Sequence, residues 1–178
     1  TFALGAPGFV WFAESPGFIV PRFRVIDAYD GETGRLSARL LGSIPVANAL
    51  GAEINRAQAM RYLGELPWIP DAILGNPAIG WRTRDDGWIE ASLPLDPAPA
   101  TVRFRLEGTD IVEMRAEDRP AEQGPDGAYV LRDWRGLFSE HAEIGGRRIP
   151  TRGEVGYIRD GDYAPYWRGR VTDYQIMR

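Results

Sequence analysis

No cysteine occurs in this chain, and every one of its 21 basic residues is arginine. The first absence removes disulfides, thiol nucleophiles and cysteine-based zinc sites together, and leaves the redox compartment open. The second removes Schiff-base catalysis and a P-loop lysine. A GC-rich genome accounts for an all-arginine composition, but the chemical exclusion stands. Long apolar runs are missing too. The longest, around "GAPGFVWFA" (5–13), falls far short of the roughly 20 residues a membrane-spanning helix needs, and no signal-peptide pattern is visible. With a net charge of −4, the chain also lacks the basic face that nucleic-acid binding requires. These absences point to a soluble chain and leave bacterial cytoplasm and periplasm equally open.

What is present is apolar and aromatic. Hydrophobic residues make up 44% of the 178, with six tryptophans, enough for a real core and too many for disorder. No repeat or linker divides the chain, so residues 1–178 are expected to form a single domain. The chain opens abruptly at Thr1, and an N-terminal segment is expected to precede it. Short stretches of period two, separated by Gly, Pro and Asp turns, dominate the pattern. They predict strands over 9–14, 18–29, 35–42, 78–83, 88–93, 101–108, 110–117, 129–143, 150–158 and 165–177. Residues 118–128 read as a mobile loop. "TVRFRLEG" (101–108) is the cleanest case, with Val102, Phe104 and Leu106 on one face and Arg103 and Arg105 on the other. About ten antiparallel strands and one helix make a mainly β (α+β) fold. A sheet that large curls or half closes into a barrel, and the helix covers it.

The helix is predicted over about 53–66. Ala59, Tyr62, Leu63 and Leu66 share one apolar arc with Met60 at its margin, while Gln58, Arg61 and Glu65 lie opposite. Pro67 ends it by lacking an N–H and by disfavouring helical angles at Leu66. Pro70 then opens a short turn at "PDAIL" (70–74). Gly64 costs about 1 kcal/mol relative to Ala inside a helix, which predicts a loosened element.

Three constellations carry candidate chemistry. Ser139, His141 and Glu143 share parity on one predicted strand, which suits a hydrolase triad and equally a solvated face; no nucleophile elbow accompanies them. A lone histidine among scattered carboxylates lacks metal-ligand spacing, so neither metal nor cofactor is expected. In the last hairpin, turning near "DGDY" (160–163), Glu154 falls opposite Arg168 or Arg170. That is an ordinary cross-strand pair, or a polar anchor beside Tyr166 in a concave face. Arg61 and Glu65, one helical turn apart, are likewise a surface pair or one wall of a site, and their order, Arg before Glu, is the less favourable one for a helix. The tryptophans serve a core or line an apolar pocket.

"MRYLGELPWIP" (60–70), "WRGLFSEHAEIGGRRIPTRGEVGY" (134–157) and "PYWRGRVTDYQI" (165–176) resemble an uncharacterised bacterial family of domains of unknown function. The architecture resembles the half-open β-barrels of outer-membrane lipoprotein carriers, in which a curved sheet is covered by helices. The resemblance draws attention to Arg61, Glu65, Trp68, Glu154, Trp167 and Arg168, and implies no established reaction.

Two functions follow as expectations. One is a binding module that holds a small apolar, acyl-type or amphipathic molecule between sheet and helix, using Arg61, Glu65, Trp68, Glu154, Tyr166, Trp167 and Arg168. The other is an acid–base enzyme (lyase, isomerase or cyclase) with Glu154 or Glu65 as the catalytic carboxylate in an apolar pocket. A purely structural domain, its aromatics all core, is the third possibility.

Overall fold

The computed structural model describes residues 1–14, 23–40, 44–124 and 126–176. Residues 18–22 and 41–42 of the predicted strands lie outside that set. Eleven strands form two antiparallel sheets. The first has β1 (Phe9–Glu14), β2 (Phe23–Tyr29), β3 (Gly34–Leu40) and β4 (Ile44–Ala49) in sequential order. The helix α1 (Ala52–Gly64), a 3-10 turn over Leu66–Trp68 and the short helix α2 (Pro70–Gly75) follow. The second sheet is a seven-stranded meander: β5 (Gly80–Thr83), β6 (Ile89–Leu93), β7 (Ala100–Glu107), β8 (Asp110–Gln123), β9 (Tyr129–Ile144), β10 (Arg147–Arg159) and β11 (Asp162–Arg170). The mainly antiparallel fold with one principal helix is as the patterning predicts. Among the described residues no helix is long and apolar enough to cross a membrane.

The division into two sheets changes the environment of α1. The helix packs on β6, β7 and β8 with one side and on β2 and β3 with the other. Tyr62, Met60, Leu63 and Leu66 are fully buried with Phe104, Val102 and Met114 of the larger sheet. Gln58, assigned by periodicity to an exposed face, is only 4% exposed. Periodicity identifies the most apolar arc; it does not register a second sheet that covers the polar one. Tyr62 also holds the N-terminal segment in place: its hydroxyl donates to the Ala3 carbonyl (3.0 Å) and accepts from the Asn76 amide (2.9 Å).

Gly64 tightens the helix rather than loosening it. A Cβ at this position would lie 2.7 Å from the Trp134 ring, so only glycine lets the helix backbone rest on the indole. That ring is in turn fixed: Arg119 stacks over it, and its Nε1–H donates to the Tyr166 hydroxyl (3.0 Å). Arg119 comes from the stretch read as a mobile loop, which corrects that expectation. Strand β8 continues to Gln123 through two register shifts, with Pro120 beside the second, where proline's missing N–H is tolerated. Arg119 is buried there, donating to the Ala57 carbonyl of α1 and to the Tyr157 hydroxyl.

The last hairpin forms as expected. Asp160 and Gly161, both at positive φ (53° and 88°), make a two-residue loop between Arg159 and Asp162, the geometry that matches strand twist and favours Asp-Gly. Strand β11 ends at Arg170; of the predicted remainder, residue 177 lies outside the described set, and residues 171–176 form no strand, although the Val171 N–H still donates to the Thr151 carbonyl (2.9 Å).

Gly64→Ala is expected to destabilise the protein by about 1–2 kcal/mol, since forced overpacking outweighs the helix-propensity gain. Urea unfolding measures this; a stabilised variant would mean that the close approach to Trp134 is not what Gly64 provides.

Candidate functional site

Strand register places Trp11 of β1 directly opposite Asp27 of β2, and both meet Arg61 of α1. The Arg61 guanidinium forms an ion pair with Asp27 and lies over the Trp11 ring, 4.5 Å from its centroid, with Phe9 at 5.6 Å. On its other side the Arg61 Nε is 3.5 Å from the Glu65 carboxylate. One cation therefore serves two carboxylates. The side chains are 19% (Arg61), 7% (Asp27) and 20% (Glu65) exposed, so this is an interior cluster, and the sequence expectation that Arg61 and Glu65 sit opposite the core is corrected. Burial pushes both carboxyls above their ordinary values, and Arg61 pulls each only part of the way back.

Glu65 is the member of this cluster that reaches open space. An open groove of about 840 Å³ lies at the C-terminal end of α1, with Glu65, Trp68, Trp167, Trp11, Phe2 and Leu4 among its lining residues and the 171–176 segment as its far wall. The chain reaches Trp68 through the turn that Pro67 imposes. Trp68 is fixed on three sides: its Nε1–H donates to the Pro150 carbonyl (2.9 Å), its ring meets Phe138 edge-on (centroids 5.1 Å, 83°), and Gly153 lies beneath it, where a Cβ would be 2.5 Å from the ring. Trp167 stands nearly perpendicular to it at 6.2 Å and 81°. Between α1 and the larger sheet the space is filled by core, so the groove opens at the helix end and not under the helix.

Of the sequence-selected residues, the structure brings together Arg61, Glu65, Trp68 and Trp167. Glu154 and Arg168 pair with each other across β10 and β11, as the register argument requires, but their neighbours Val155 and Trp167 face the helix. Strand alternation therefore puts Glu154 and Arg168 on the opposite face. A shallower depression there is lined by Glu154, Arg168, Arg152 and Arg170, and Arg152 and Arg170 both bind Glu140. Tyr166 is the extra residue of a bulge between the pairs Val155–Trp167 and Gly156–Pro165. The bulge keeps it on the helix side, stacked on Tyr157 (5.2 Å), outside the groove. His141 is no triad member: its Nε2 contacts the Ile111 carbonyl at 3.0 Å and its Nδ1 lies 3.7 Å from Asp110, which anchors the β7–β8 hairpin. Among the described residues no group of three or more His, Asp or Glu side chains is placed to hold a metal.

Sequence reasoning missed Asp27 and the groove walls contributed by Phe2, Leu4 and residues 171–176. Asp27 did leave a signal. It shares strand parity with Val25 and Tyr29 in "RVIDAY", a carboxylate on an otherwise apolar face, and such a residue needs a buried cation.

The chain belongs to a family of unknown function (DUF6544), which matches residues 1–169. Glu65, Trp68 and Trp167 lie within the matched span and the 171–176 wall beyond it. No curated protein and no solved structure matches the chain.

Two measurements test the cluster. Arg61→Met strands Asp27 in the interior and is expected to cost about 3 kcal/mol, whereas adding Asp27→Leu restores most of that loss; a double variant no better than the single one would mean that the pair is not the source of the cost. For Glu65 the pH dependence has a definite sign. A carboxyl whose pKa is higher folded than unfolded holds its proton more tightly in the folded state. Its stabilising contribution is complete below the unfolded value and is lost as pH rises through the folded value. Glu65→Gln, which cannot ionise, should therefore gain Tm relative to wild type as pH rises from about 4 to about 8. A gap independent of pH would show that Glu65 does not titrate in an altered environment.

Proposed function

We propose that this family member is a binding module for a small, elongated apolar or amphipathic molecule, held in the groove at the C-terminal end of α1. The observation that carries this reading is the groove itself: about 840 Å³, open to solvent, with aromatic and aliphatic walls at Phe2, Leu4, Trp11, Trp68 and Trp167, and a polar share that includes Glu65, Asp71, Arg170 and Asp173. That size, and the combination of apolar walls with placed polar groups, suit a small-molecule site. The perpendicular Trp68 and Trp167 rings form a corner that accepts a chain or a ring without rearrangement, because Trp68 is already immobilised by Pro150, Phe138 and Gly153; preorganisation of this kind lowers the cost of binding. A helix-covered curved sheet that holds an apolar cargo is also the arrangement suggested by the resemblance to lipoprotein carriers. Here the cargo lies at the helix end, since the space beneath the helix is core.

A second reading draws on one specific observation, the burial-raised carboxyl of Glu65 at the groove floor. A carboxyl so placed holds its proton above the ordinary carboxylate range and can exchange it with a bound molecule, which is the acid–base enzyme reading with Glu65 as the catalytic group. Glu154, paired with Arg168 on the other face of the sheet, does not share this site. Mass spectrometry of ligand recovered after incubation separates the two: unchanged ligand supports the binding module, and a protein-dependent product supports the enzyme.

The apolar dye N-phenylnaphthylamine is expected to brighten on binding the wild-type protein and to be displaced by medium-chain alcohols. Trp167→Ala should weaken dye binding about tenfold, while Leu131→Ala, an exposed site on β9, should leave it unchanged. Equal loss in both variants, or no binding by wild type, would reject the groove as the site.

A further inference from the structure

Given the groove reading above, on which this rests, the charge distribution at the floor identifies the ligand's polar end. Three carboxylates line the groove, Glu65, Asp71 and Asp173, against one arginine, Arg170. Arg170 shares Glu140 (2.7 Å) with Arg152, and Asp71 is neutralised by a two-point bond from Arg147 (2.7 Å each). Asp173 accepts a hydrogen bond from the Gln175 amide and has no arginine partner among the described residues. Glu65 shares Arg61 with Asp27, and the field of the Thr1 amine, which also lines the groove, offsets it only in part. The carboxylates left incompletely compensated are therefore Glu65 and Asp173, and Glu65 is the less exposed of the two. Two further features act in the same direction. Glu65 caps the C-terminal end of α1, where the helix dipole disfavours a carboxylate and favours a cation. The walls beside it are the indoles Trp68, Trp167 and Trp11, whose faces attract cations when water is excluded.

We propose that the groove takes an amphipathic amine, an organic cation with an apolar tail, whose ammonium end sits at Glu65 between the tryptophans while the tail runs along Phe2, Leu4 and the 171–176 segment. An anionic head such as a fatty-acid carboxylate meets no unpaired arginine here and is repelled by Glu65: Arg61 serves two carboxylates, Arg170 is paired with Glu140, and the Thr1 amine is bonded to the Val10 carbonyl (2.8 Å). A neutral head forgoes the attraction of Glu65 without being repelled. The raised carboxyl of Glu65 couples binding to protonation. An arriving ammonium stabilises the ionised form, so binding to the protonated carboxyl releases a proton, and affinity for the amine climbs as pH rises through the range in which Glu65 ionises.

The test compares three probes of equal chain length below their aggregation limits, octyltrimethylammonium, octanol and octanoate, by isothermal titration calorimetry in two buffers of different ionisation enthalpy. The ammonium is expected to bind about tenfold more tightly than octanol, octanoate more weakly than either. At pH values where Glu65 is still protonated, the heat should depend on the buffer for the ammonium alone. Glu65→Gln should bring the ammonium down to the level at which that variant binds octanol, while Leu131→Ala, away from the groove, should keep the preference of the wild type. If octanol or octanoate binds as tightly as the ammonium, or if Glu65→Gln keeps the preference, the amine assignment is overturned and the groove reading survives. If none of the three binds the wild-type protein, both fall.

Discussion

Arg61 is the residue on which the rest of the structure turns. α1 is covered by a sheet on each side and is exposed only at its start, at Ala52 and Glu53, so the polar residues of its later turns must be satisfied in the interior. α1 meets this constraint with a single guanidinium that binds Asp27 across the small sheet, stacks on Trp11 and Phe9, and reaches Glu65 on its own helix. Remove it and the small sheet keeps a buried carboxylate with no cation. The arrangement also leaves a residue: one positive charge against two negative ones, with the second carboxylate at the floor of the groove. The structural solution to burying a helix thus creates the chemical character of the candidate site.

The opposite side of α1 is held in a related way. Arg119 lies between Trp134 and Tyr157 and donates to the Ala57 carbonyl, and its field reaches Asp27. Two arginines with aromatic partners therefore tie the helix to its two sheets, Arg61 reaching out from α1 and Arg119 reaching in from β8. A guanidinium suits both places better than an ammonium, being planar, more weakly hydrated and able to donate in several directions while stacked. The all-arginine composition, whatever its origin in coding, is used structurally at these two positions, and lysine at either would keep the charge and lose the stacking.

Much of this was legible in the sequence wherever local chemistry decides. The hairpin at Asp160–Gly161, the pairing of Glu154 with Arg168, and the halt at Pro67 all follow from neighbours within a few residues or from strand parity. What was not legible depends on distant segments. That β1 to β4 form a sheet of their own over the polar arc of α1, burying Gln58, is invisible to periodicity. So is the bulge at Tyr166, which adds one residue to β11 and turns that ring to the helix side. Residues 118–123 read as a loop because proline and charge dominate them; their place in the sheet is set by Arg119, whose partners lie on α1 and β10. The candidate site divided along the same line. Arg61, Glu65, Trp68 and Trp167 sit in compact motifs and were found, whereas Asp27, Phe2 and Leu4 belong to the site only through the fold.

Glu65 shows why such a site is expensive to keep and informative when kept. It caps a helix at the end where a carboxylate is electrostatically disfavoured, it is mostly removed from water, and the nearest cation is shared. Each of these raises the free energy of the ionised form, and a glutamine of the same shape would avoid all three. Structural necessity does not explain its presence, because Arg61 already has Asp27. Proteins hold groups in unfavourable environments chiefly where the environment alters what the group does. In an open aromatic groove, a carboxylate that is costly alone becomes favourable when a cation or a proton arrives, so the instability of the empty site is itself a source of binding energy.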